Sequence, residues 1–102
     1  MKYELHDKWD DMTFGGSAMV GTIIMTKEEL IKKLGEPIHT EGAHIADRWL
    51  ITFEDGTVGT IFTNDKIRNM KENEWIIGGF GQYDKKTKEN LSFRAVKELL
   101  GV

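Results

Sequence analysis

Two runs of β-branched and aromatic residues, Trp49-Leu50-Ile51-Thr52-Phe53 and Thr57-Val58-Gly59-Thr60-Ile61-Phe62, lie on either side of Glu54-Asp55-Gly56. An Asp-Gly pair between such runs predicts a hairpin with a two-residue type I′ turn, because both residues tolerate the positive φ this turn needs. That turn sets Glu54 opposite Thr57, Phe53 opposite Val58, Ile51 opposite Thr60 and Trp49 opposite Phe62. With side chains alternating, Trp49, Ile51, Phe53, Val58, Thr60 and Phe62 share one face, the predicted core. Leu50, Thr52, Glu54, Thr57, Gly59 and Ile61 take the other.

Around this hairpin the pattern predicts further elements. Tyr3 and Leu5 alternate with Lys2, Glu4 and His6, as in a short edge strand. Residues 7 to 19 read as an irregular loop, in which Asp7, Asp10 and Asp11 surround Trp9, with Met12 and Phe14 following. Two readings fit Trp9, Met12 and Phe14: a lid folded onto the core, or an exposed apolar patch that receives a partner. Val20 to Met25 is a second strand. Thr26 and Glu29 then have capping-box spacing, and Met25 with Leu30 has that of a hydrophobic staple. Leu30, Ile31 and Leu34 form the buried stripe of a helix that Gly35 and Pro37 end. Polar connections occupy 38–47 and 63–73, and Trp75 to Phe80 is a third core strand containing Gly78 and Gly79. After a turn at 81–88, Asn90 or Ser92 caps a last helix with Leu91, Ala95, Val96, Leu99 and Leu100 on its apolar stripe. The predicted order is β-β-α-β-β-β-α. This is an α+β fold: an antiparallel sheet of four to five strands, two helices packed on one face, and a single domain over 1–102.

Composition narrows the functional classes. A 102-residue chain with 30% charged residues and a net charge of −3 has room for one core and lacks a strong field. The weak acidity argues against a conventional nucleic-acid binder. With no cysteine there is no thiolate catalysis and no cysteine zinc site, and an oxidising compartment has no support. The N-terminus does not read as a signal peptide and no apolar run has membrane-spanning length, so cytoplasm is the expected location.

The chemistry-bearing residues are sparse. His39, Glu41, His44 and Asp47 are the metal candidates, but His-x4-His does not put two imidazoles on one helix face, and a solvated loop explains them better. Ser17 lacks the Gly-x-Ser-x-Gly turn of an exposed nucleophile. Asp10 with Asp11 and Glu54 with Asp55 are adjacent, not opposed across a cleft as acid–base pairs are. No catalytic residue, metal or cofactor is therefore expected. A ligand reading does emerge: Lys66, Arg68 and Lys71, joined by Arg48, would meet phosphates, Trp49, Phe62 or Trp75 would stack a base, and Gly78 and Gly79 would admit close backbone approach. The competing reading makes the aromatics core and the cations a solvated loop.

Three blocks carry a resemblance: Gly21-Thr22-Ile23 with Lys27-Glu28-Glu29-Leu30 and Leu34-Gly35-Glu36-Pro37; Trp49 with Phe53-Glu54-Asp55-Gly56-Thr57-Val58 and Thr60-Ile61; and Trp75-Ile76-Ile77-Gly78-Gly79. The pattern resembles small accessory proteins of bacteriophages and prophages, over residues 20 to 80. It departs from them at Phe62, where those proteins often carry tyrosine. In architecture it is also similar to the outer-membrane assembly lipoprotein and β-lactamase-inhibitor folds. The phage resemblance implies a non-catalytic inhibitor of bacterial anti-phage defence in the host cytoplasm, acting by stoichiometric binding as anti-CRISPR proteins do. Its expected partner is a defence protein held by Trp9, Met12 and Phe14. The alternative is a sponge for a cyclic nucleotide signal at Arg48, Lys66, Arg68, Trp75, Gly78 and Gly79, a reading compatible with a homodimer. A small metal-dependent hydrolase is the third reading.

Overall fold

The hairpin forms, with a different turn. In the computed structural model, which describes residues 2–39, 47–63 and 71–102, β4 (Asp47–Phe53) and β5 (Val58–Phe62) are antiparallel neighbours. Phe53 N–H donates to Thr57 O at 2.8 Å and Gly56 N–H donates to Phe53 O at 3.0 Å. Glu54, Asp55 and Gly56 are thus a three-residue loop in which Gly56, at φ 88°, has positive φ and Asp55 does not. This is the type I turn plus left-handed residue that three-residue hairpins favour; a type I′ turn needs two positive φ values. The Asp55 carboxylate accepts from Thr57 N–H at 3.0 Å, which holds the loop in this form.

One extra loop residue shifts the register by one. Arg48 faces Phe62, Trp49 faces Ile61, Leu50 faces Thr60, Ile51 faces Gly59 and Thr52 faces Val58. A slip of one sends every side chain of the strand through the sheet. Ile61 joins Trp49, Ile51 and Phe53 on the first face, whereas Val58, Thr60 and Phe62 lie with Arg48, Leu50 and Thr52 on the second.

The sheet is antiparallel throughout, in the order β1–β4–β5–β6–β2. Here β1 is Tyr3–His6, β2 is Ala18–Ile24 and β6 is Glu74–Gly79, while the two-residue β3 (Ile38–His39) also pairs with β4. Helices α2 (Lys27–Leu34) and α3 (Leu91–Leu100) cover the first face, where Leu30, Leu34, Ala95, Val96 and Leu100 meet Trp49, Ile51, Ile61, Trp75 and Ile77. The α+β class thus holds, with a one-turn helix α1 (Asp11–Phe14) and β3 added to the expected order.

Both α2 ends are tied to the core by tryptophans. Trp75 donates its indole N–H to Met25 O at 2.8 Å, just before the helix, and Trp49 donates to Gly35 O at 2.9 Å, just after it. The two rings meet edge-on at 5.4 Å. Thr26 caps the helix by accepting from Glu29 N–H at 3.1 Å. Helix α3, capped by Asn90, lies almost on the sheet backbone. A Cβ at Gly21 would strike the Phe93 ring, one at Gly59 the Val96 side chain, and one at Gly79 the Ser92 side chain.

Because β1 and β2 occupy opposite edges, residues 7–17 cross the second face as a strap. Asp10 builds its one helical turn, accepting from Met12 N–H at 3.0 Å and Thr13 Oγ1 at 2.8 Å. Phe14 fastens the strap: it is fully buried against Leu50 and Val58, with Ile38 and Phe80 beside them. The His6 ring stands edge-on to Phe14 at 5.5 Å and the Trp9 ring lies 5.6 Å away.

Candidate functional site

Beyond the strap the second face stays open. His6, Leu50, Thr60, Gly78 and Met19 are successive cross-strand partners over five strands, and they form one row of the face. The next row contains Arg48, Phe62, Ile76 and Thr22. A cleft of about 470 Å³ lies over these rows, with Leu50, Thr60 and Gly78 as floor and Arg48 and Phe62 at one end. Trp9 and Ser17 of the strap and Met19 of the edge strand complete its walls.

Gly78 gives the floor its depth. Any Cβ there would press on Thr60 Oγ1 and come within 3.4 Å of the Phe62 ring. The Arg48 Nε is buried and has no hydrogen-bond partner among the described residues. A guanidinium is always charged, so Arg48 brings a positive charge to this end of the cleft.

The residues expected to bind separate sharply. Arg48 and Gly78 meet in the cleft. Trp75 and Gly79 do not, which corrects the sequence expectation: neighbouring strand residues point to opposite faces, so a glycine pair cannot line one site. Gly79 lies under Ser92, and Trp75, 5% exposed, is in the helix-covered core with its donor engaged by Met25. Lys66 and Arg68 lie outside the described residues. Of the partner-binding trio, Phe14 is fully buried and presents nothing to a partner. Trp9 is 42% exposed and borders the cleft, while Met12 is 97% exposed.

Thr60 and Met19 line the cleft without having been singled out as binding residues in the sequence, and Phe62, one of the candidate stacking rings, lies on the face opposite to the expected one; the displaced register accounts for Thr60 and Phe62. The available signal was local: Asp55 two residues before Thr57, with glycine between, favours the side-chain bond to Thr57 N–H and hence the longer loop. Ser17 borders the cleft, and no carboxylate or histidine shares that lining among the described residues.

His39 and Asp47, half of the proposed metal set, form a different arrangement. The Asp47 carboxylate receives His39 Nδ1 at 2.7 Å and Lys27 Nζ at 3.0 Å. Partial burial opposes its ionisation, but the hydrogen bonds and charges of His39 and Lys27 prevail and hold the carboxyl below its ordinary range. Glu41 and His44 lie outside the described residues, and among those described no three metal-capable side chains converge. Among the described residues no helix is long and apolar enough to cross a membrane. The chain matches no known family profile, curated protein or solved structure.

Proposed function

We propose that this protein is a non-catalytic accessory protein of the phage type, acting in the host cytoplasm to block a bacterial defence system by stoichiometric binding. Its binding centre is the cleft beside the strap. The observation that supports this reading is the charged Arg48 at the end of an apolar cleft. A guanidinium there can receive an anionic acceptor. The apolar lining lowers the local dielectric, which strengthens that contact.

The test is a plating assay in bacteria carrying single defence systems. Expression of the chain restores plaques of a sensitive phage against at least one system. Arg48→Met removes the rescue at unchanged protein level. Absence of rescue against every system tried overturns the proposal, and rescue indifferent to Arg48→Met overturns the cleft as its binding centre.

A second reading gives the binding surface to a defence protein through the strap, favoured by the extreme exposure of Met12 close to Trp9. Under that reading Trp9→Ala with Met12→Ala abolishes rescue while Arg48→Met retains it.

A further inference from the structure

We infer that the cleft receives a small molecule built from one flat ring and one anionic group, phosphate or carboxylate, with the anion at Arg48. This rests on the binding role proposed above and names the chemistry of the occupant.

Charge sets the first limit. Arg48 is the one cation among the described residues lining the cleft, and no described carboxylate opposes it. One guanidinium neutralises one anionic group. Guanidinium geometry sets the second limit. Its planar array of N–H donors fits the two oxygens of a carboxylate or phosphate, and Arg48 lines the cleft.

The remainder of the cleft calls for a ring. Phe62 stands directly opposite Arg48 in the sheet, and Trp9 overhangs from the strap, so aromatic surface borders the anion position. Aromatic faces and edges pack well against another ring, and Met19 supplies a soft, adaptable wall. Gly78 leaves the floor unfilled beside the Thr60 hydroxyl, which can donate to or accept from a ring substituent. The volume of about 470 Å³ falls within the usual small-ligand range. An acidic side chain of a partner protein would satisfy Arg48 but leave the apolar part of the cleft empty.

Titration calorimetry with four probes tests the inference: AMP, indole-3-acetate, adenosine and inorganic phosphate. AMP or indole-3-acetate, which join ring and anion, bind at one equivalent. Each such binder is at least tenfold tighter than adenosine or phosphate alone. Preference for AMP identifies phosphate as the anion, and preference for indole-3-acetate identifies carboxylate. Arg48→Met reduces the tighter binding tenfold or more, without lowering the circular-dichroism melting temperature. Met19→Trp, a change at an exposed wall residue, fills the cleft and weakens the binder too.

Equal affinity for adenosine or for phosphate alone overturns the inference, as does indifference to Arg48→Met. If no probe binds while Arg48→Met and Met19→Trp both abolish phage rescue, the occupant is a protein side chain. The ring-and-anion chemistry then falls and the binding role stands. If no probe binds and rescue ignores both variants, both fall.

Discussion

At the scale of single residues, exposure separates two apolar side chains only two positions apart. Phe14 fills the small core under the strap, so Phe14→Ala leaves a cavity and costs about 3–5 kcal/mol in urea unfolding. Met12→Ala, at a position in solvent, leaves the midpoint unchanged. A mutational test of the strap as an interface therefore has to spare Phe14. Asp47 gives a pH-dependent counterpart. Its carboxyl is lowered in the folded state by His39 and Lys27 despite partial burial, so its stabilisation is present above the ordinary carboxylate pKa. It fades as pH falls through the depressed folded value. Asp47→Asn accordingly lowers the melting temperature at pH 7, and the difference from wild type narrows below pH 4.

At the scale of elements, the helices were legible and the turn was not. Thr26 and Asn90 are caps whose side-chain bonds depend only on local sequence, and both form as their spacing implies. The hairpin turn depends on a competition between two loops differing by one residue. Asp55 decides it by bonding Thr57, and the choice reassigns β5 side chains to faces. Part of the candidate cleft was lost to sequence reading for this reason: Arg48, Gly78 and Trp9 were named as site residues, whereas Thr60 and Phe62 were put on the helix-covered face. The glycines carry a second element-scale consequence. Gly79→Ala drives a methyl group into Ser92 and lifts α3, costing about 1–3 kcal/mol by overpacking. Gly81→Ala, which meets nothing nearby, is neutral in the same denaturation assay.

At the scale of the whole molecule, the sheet separates two apolar clusters of unequal size among the described residues. The larger one, under α2 and α3, was legible because amphipathic helices and alternating strands advertise their buried faces. The smaller one was not. It depends on the strap crossing from one sheet edge to the other, a path set by strand order and by no pattern within residues 7–17. The same crossing makes the cleft, since Trp9 and Ser17 reach the floor only when the strap is in place.

A chain laid over a finished sheet and pinned by one phenylalanine can also let go of it. Release breaks the contacts of Phe14 with Leu50 and Val58 while the tryptophan pair and both longer helices keep theirs, so it requires less free energy than global unfolding. Native-state hydrogen exchange then shows two opening energies. Amides of Phe14 and Gly15, which bond within the strap, exchange through the cheaper opening, and those of β5 and β6 only through the full one. A ligand gripped under Trp9 would raise the lower energy toward the higher, so occupancy of this protein can be read from how firmly its own belt is fastened.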